Sequence, residues 1–242
     1  MTASFPRLLP AGDTALVVEL GDTVDLAVNA RVRALDRMVA AAAIPGVTET
    51  LPTNRSLLVM YEPLTLGRDA LVRAIEALLR DLPERPDDAG GRAWILPVVY
   101  GGAFGVDLAA AAERLGLGEA TLIERHAARE YRVFMVGFQP GFLYLGVLDR
   151  DLAISRWDAP RPLVPAGTVS IAGLQTVVNS VAAPSGWMLI GRTPARLFDL
   201  RRREPFLLAT GDRVRFRPVP AATWDALDAR AEAGDPVAEP AP

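Results

Sequence analysis

Between His126 and Asp199 the chain reads HAAREYRVFMVGFQPGFLYLG, then APRPLVPAGTVSIAGLQT, then GWMLIGRTPARLFD, and this punctuation restricts its fold more than any other feature. Glycine and proline recur between apolar runs too short to be helices. Glycine admits backbone conformations closed to other residues, and proline fixes one dihedral angle and removes a donor. Thr168–Ala172, Gln175–Ser180, Trp187–Ile190 and Arg213–Phe216 read as short strands, and Tyr131–Val136 as a strand entering a loop at Gly137–Gly146. Short strands with turn signals at this spacing favour a barrel or sandwich over a parallel sheet. Loops specified this closely are either demanding barrel turns or the walls of a pocket or interface.

The first ninety residues follow a different pattern. Ala15–Leu20 reads as a strand, Asp25 to Ala42 as a helix with Asp25 as N-cap, and Val47–Leu51 and Ser56–Tyr61 as two strands joined by a turn-rich Pro52–Arg55. Leu66–Leu82 places Leu71, Ile75, Leu78 and Leu79 on one helical face, and Trp94–Tyr100 reads as a further strand. The order β-α-β-β-α-β is that of a ferredoxin-like split unit, although Trp94–Tyr100 could belong to either side of the polar segment Pro83–Arg92. An N-terminal α+β domain over residues 1–88, a β-rich domain over 89–220 with helices at Val106–Leu115 and Glu119–Arg129, and a tail over 221–242 are therefore expected.

Absences narrow the chemistry. All 26 Lys-plus-Arg positions are arginine, so no Schiff-base, phosphate-loop or biotin-carrying lysine exists on this chain. There is no cysteine, which excludes thiol catalysis and disulfides and fits a cytoplasmic protein. His126 is the only histidine, so multi-histidine metal sites are excluded and no metal is expected. The net charge of −3 gives no footprint for nucleic acid, and no apolar run is long enough to span a membrane. The N-terminal segment has no basic region followed by an apolar stretch, so no secretory signal is expected.

Chemistry must then come from His126, carboxylates, hydroxyls, amides, arginines and backbone N–H groups. His126 titrates near neutrality when unperturbed, but at a helix end a structural role is sufficient for it. Phe138, Phe142 and Tyr144, with Gln139 between the two phenylalanines, suit either a flat polar ligand or a closed barrel end. Val164–Gly173 can offer backbone donors around Gly167 and Gly173, with Thr168, Ser170 and Gln175 adding side-chain donors. Arg161 and Arg192 could clamp an anion, Arg192 the more so because it sits between an apolar strand and Thr193-Pro194. Arg201–Arg203 reads as a solvated loop.

The ordered motifs PVVYGGAFGVDL, H-x4-Y-x-V-x-x-x-GFxPGFxYLG, PR-x2-VPAG-x-V-x-IAG-x-QT, GW-x-LIGRT-x3-LFD and GD-x-V-x-F resemble the family of 5-oxoprolinase B subunits, also called allophanate hydrolase subunit 1 or the KipI type. The similarity runs from about Ala11 to Val219. It implies a small N-terminal α+β domain followed by a cyclophilin-like β-barrel. It implies a hetero-oligomer with the C and A subunits of the same enzyme, the C subunit in direct contact. Such an assembly opens 5-oxo-L-proline to L-glutamate at the expense of ATP with magnesium, held at a site shared with or supplied by those partners. Within that expectation His126, Arg192 and Gln175 take catalytic roles, and Tyr131, Phe138, Gln139, Phe142, Arg161, Gly167, Gly173 and Thr193 bind substrate. The family's other names imply two alternatives, an inhibitor of a sensor histidine kinase and a carboxyltransferase-like urea or allophanate module. Two departures border the proposed pocket. Asn179-Ser180 stands where members usually carry Tyr-Pro, and Ser185 where Gly is usual.

Overall fold

The computed structural model describes residues 4–87 and 90–241, which divide into two units, Met1–Ala89 and Gly90–Pro242. The first unit holds β1 (Arg7–Pro10), β2 (Ala15–Glu19), α1 (Leu26–Ala42), β3 (Val47–Pro52), β4 (Ser56–Tyr61) and α2 (Arg68–Asp81). Asp25 caps α1 as its sequence position requires: its carboxylate accepts from the N–H groups of Ala27 and Val28 at 2.8 and 3.1 Å. The helix stops at Ala43, whose φ of 45° places it in the left-handed region. Strands β2 and β4 bury alternate residues, and Leu16, Val18, Leu57 and Val59 pack beneath Val32, Leu35 and Val39 of α1 and Leu71 and Ile75 of α2. One face of an antiparallel sheet is thus covered by two helices.

The strand order is β1-β2-β4-β3. In a split β-α-β-β-α-β unit the edge beside the first strand is filled by the strand after the second helix. Here β1, which precedes that first strand, fills it, pairing Arg7–Pro10 with Glu19–Leu16. The strand expected at Trp94–Tyr100 belongs instead to the second unit, because its whole length pairs there.

The second unit contains β5 (Ala93–Tyr100), α3 (Leu108–Leu115), α4 (Glu119–Ala127), β6 (Glu130–Val136), β7 (Leu143–Gly146), β8 (Arg161–Val164), β9 (Thr168–Ala172), β10 (Gln175–Val178), β11 (Ala183–Ser185), β12 (Met188–Arg192), β13 (Arg213–Pro218), α5 (Trp224–Glu232) and β14 (Glu239–Pro240). Seven strands close in the order β12-β9-β10-β7-β6-β13-β5, the ring completed by β5 against β12. Closure removes the unpaired edges that an open sheet would leave. The only parallel pair in the ring is β5 with β13. This closed barrel fits the cyclophilin-like expectation. Its interior is filled by Leu96, Val98, Val133, Leu145, Ile171 and Val214 among others. Part of the expected Gly137–Gly146 loop is strand β7. The expected tail holds α5, buried Val237 and Ala238, and β14 beside Trp94 and Ile95.

Candidate functional site

His126 projects from the last turn of α4 into the core and has no solvent exposure. Its Nδ1 lies 2.8 Å from the Tyr100 hydroxyl, and its Nε2 lies 3.0 Å from Thr176 Oγ1. Thr176 Oγ1 donates its own proton to the Ser170 carbonyl at 3.1 Å. The hydroxyl can therefore only accept from Nε2–H, which leaves Nδ1 to accept from Tyr100. The imidazole stacks on Phe216 at 4.8 Å, and the Tyr131 hydroxyl donates to the His126 carbonyl at 2.8 Å. Burial lowers the His126 pKa to about 3, so the ring stays neutral. Burial also raises the Tyr100 and Tyr131 hydroxyls above the ordinary tyrosine value. His126 and Tyr131 are thus spent on one another and on the barrel. The polar groups expected to act in catalysis and substrate binding are here bonded within the barrel.

The expected backbone donors are likewise committed. Gly167 N–H donates to the Asn179 carbonyl and Gly173 N–H to the Ile154 carbonyl, both at 2.7 Å. The two glycines flank β9 and stand roughly 20 Å apart along an extended chain. They form no common anion nest. Gly167 is required for another reason: at φ +79°, a Cβ there would lie 2.1 Å from the Thr193 carbonyl oxygen. Thr193 is buried, and its hydroxyl accepts from Ala195 N–H at 3.2 Å. Arg192 Nε donates to the Ala166 carbonyl at 2.7 Å while its guanidinium lies 4.8 Å over Trp224. Gln175 is buried at the start of β10 and pairs with Ala172, whereas Arg192 pairs with Thr168 at the other end of β9. The structure therefore gathers Gly167, Arg192 and Thr193 into one turn-and-clamp cluster, without Gln175 or Gly173.

Arg161 is a tie across the fold. Its Nη2 donates to Asp107 Oδ1 at 2.5 Å, and the other carboxylate oxygen accepts from Leu189 N–H at 2.9 Å. With that carboxylate almost fully buried, the pair fastens β8 to the start of α3 and to β12.

Phe138 and Phe142 do share a site. They wall a cleft of about 230 Å³ together with Tyr144, Trp187, Arg156 and Ser185, floored by Pro160, Pro184 and Gly186. Phe142 meets Phe138 edge-on at 5.6 Å and Tyr144 at 4.8 Å, and Tyr144 meets Trp187 at 6.4 Å. These four rings form a run of aromatic contacts. The separate antiparallel pair of β8 and β11 brings Pro160 and Pro184 to this cleft. Phe138 holds φ +68°, a conformation rare for a large side chain, and remains 67% exposed. Arg156 is exposed, with no ion pair recorded among the described residues. Gln139 stands beside this loop with Oε1 buried and without a donor. The set can hold a small, flat molecule by its faces and an anionic group by Arg156. Among the described residues no group of acidic or histidine side chains could hold a metal ion. Sequence reasoning passed over Arg156 and Trp187 as site residues, although the unusual Ser185 before Gly186-Trp187 marked the place.

A barrel preceded by a two-helix α+β unit is an architecture this chain shares with carboxyltransferase-type domains. The family model for the carboxyltransferase domain, subdomain C and D, matches residues 6–208. The chain is 44% identical over 209 residues to the 5-oxoprolinase B subunit of Escherichia coli O157:H7, covering 86% of this chain and 93% of that protein. It is 37% identical over 214 residues to the 5-oxoprolinase B subunit of Bacillus subtilis (strain 168), covering 85% and 89%. The chain therefore belongs to the family of 5-oxoprolinase B subunits. Among solved structures, TTHA0988 is 34% identical with a TM-score of 0.74 over 86% of this chain, which spans only 40% of that longer protein. The uncharacterized PH0987 from Pyrococcus horikoshii is 36% identical over 90% of this chain and all of its own, with a TM-score of 0.54. The Kluyveromyces lactis urea carboxylase shares the fold alone, at 18% identity and a TM-score of 0.79 over 97% of this chain and 24% of its own. No helix among the described residues is long and apolar enough to cross a membrane.

Proposed function

We propose that this chain is the B subunit of an ATP-dependent 5-oxoprolinase, acting with the C and A subunits to open 5-oxo-L-proline to L-glutamate in the cytoplasm. The reading is carried by its 44% identity to a protein of that name over nearly all of both chains. The aromatic cleft supports it chemically. Arg156 is suited to the carboxylate of 5-oxoproline, and the faces of Phe142, Tyr144 and Trp187 to its small ring. Held between rings and shielded from water, the lactam carbonyl could be turned toward a partner surface that completes the cleft.

ATP would supply the γ-phosphoryl group that activates the lactam oxygen, leaving as ADP. In this reading the magnesium-bound nucleotide is held by the partner subunits or at a site shared with them. On this chain there remains positioning: Arg156 binds, the aromatic rings orient, and exposed Phe138 reaches toward the partner. The network around His126 holds the barrel behind them. The test is reconstitution. The A and C subunits together with this chain should hydrolyse 5-oxoproline in the presence of ATP, and Arg156→Ala should raise KM at least about tenfold with the melting temperature unchanged. Full hydrolysis by the other two subunits without this chain would overturn the assignment.

A further inference from the structure

A second cleft in the same unit shares no residue with the aromatic one. It encloses about 330 Å³, and its lining includes Arg92, Trp94, Arg202, Arg203, Glu204 and Phe206. That volume lies within the range of small-ligand sites. Three arginines face one glutamate, and they differ in how far the protein satisfies them. Arg92 is answered by Asp212 at 3.2 Å and by the Leu207 carbonyl at 3.0 Å, and it lies 5.2 Å over the Trp94 ring. Arg203 is exposed, with no ion pair recorded among the described residues. Arg202 is folded inward onto the Arg196 carbonyl, with Nε and Nη1 buried and without acceptors. Burial lowers its pKa despite nearby Asp199, because Arg201 is the residue that engages that carboxylate. A guanidinium desolvated without an acceptor is costly unless a countercharge arrives.

The geometry points to this cleft as a binding site for a phosphate group, either free or carried on a nucleoside. Arg202 and Arg203 supply the charge, Arg92 a guanidinium fixed from behind by Asp212, and Trp94 and half-exposed Phe206 supply apolar walls for whatever carries the phosphate. Arg202 and Arg203, which the bare sequence reads as a solvated loop, become one wall of a site. The inference does not depend on the 5-oxoprolinase reading, because it concerns binding by this chain alone.

Calorimetric titration of the purified chain with pyrophosphate, ADP and adenosine tests it. Pyrophosphate or ADP should bind and adenosine should not. Preference for ADP would identify a nucleotide site and equal binding a site for phosphate itself. Arg203→Glu should weaken that binding at least about tenfold and leave the melting temperature unchanged, since the side chain supports nothing else. Arg150→Glu makes the same change in net charge outside the cleft and should bind as the parent does. The inference fails if neither phosphate compound binds, if Arg203→Glu binds like the parent, or if Arg150→Glu weakens binding equally.

Discussion

Lowering the pH should destabilise the second unit through one residue. An unfolded histidine has a pKa near 6.5, whereas in the folded barrel burial holds His126 at about 3. The folded-state value is depressed, so the stability linked to it is complete above about pH 6.5 and is lost as the pH falls toward 3. The loss accumulates over this window to about 3 kcal/mol between about pH 7.5 and pH 4.5. The groups packed on the ring leave this window clear, because Tyr100 and Tyr131 titrate far above it. Carboxyls held low by arginine or backbone partners, such as Asp149, Asp199, Asp235 and Glu239, add to acid loss only below about pH 4.5. All four tryptophans, Trp94, Trp157, Trp187 and Trp224, lie in the second unit, so urea denaturation followed by their fluorescence reports that unit alone. His126→Gln keeps a polar group that cannot protonate. It should cost about 2–4 kcal/mol at pH 7.5, from lost packing and hydrogen bonds, and most of this deficit, about 3 kcal/mol, should disappear at pH 4.5. A deficit that does not change with pH would refute the reasoning, as would an imidazole proton resonance of His126 that titrates near 6.5 in the folded chain.

Three further outcomes follow from the same geometry. Gly167→Ala should lower stability by at least about 2 kcal/mol in the same fluorescence assay, because the new methyl collides with the Thr193 carbonyl at a positive φ. Asp107→Ala should cost about 3–5 kcal/mol by stranding Arg161 and the Leu189 N–H, and Arg161→Ala should cost a comparable amount because it leaves the nearly buried Asp107 carboxylate without its counter-ion. Phe138→Ser should change stability by less than about 0.5 kcal/mol, yet reduce co-purification with the C subunit and the activity of the reconstituted complex at least about tenfold.

The elements that sequence displayed clearly were those whose residues carry their own signal. Asp25 before an amphipathic run announced α1, and Thr168–Ala172 between Gly167 and Gly173 announced β9 with its exact bounds. Strands β1, β8, β11 and β14 are four residues or fewer, too short for a period to be counted, and are made by the partner strand rather than by propensity. The placement of Trp94–Tyr100 was open because its pairing partners lie far along the chain. The candidate site was half legible. Phe138 and Phe142 were marked by the glycines and proline around them, whereas Arg156 and Trp187 flank β8 and β11, whose pairing is not legible from either strand alone. The glycines misled in the opposite sense. Gly167 was conspicuous because a turn needs its backbone, and the same turn consumes the N–H that seemed available to a ligand.

The parallel pairing of β5 with β13 has a consequence for how this protein can be made. Arg213 aligns with Ala93, and Arg92 N–H bonds to Asp212 across a separation of 120 residues. On a ribosome the strands β5, β6, β7, β9, β10 and β12 all emerge before the strand that seals them. The sheet of the first unit, by contrast, is complete once Tyr61 has appeared. A chain cut anywhere between Arg192 and Arg213 would carry almost every residue of the barrel and still expose two open edges, at β5 and β6, as templates for other chains. Such fragments should aggregate where the first unit alone stays dispersed.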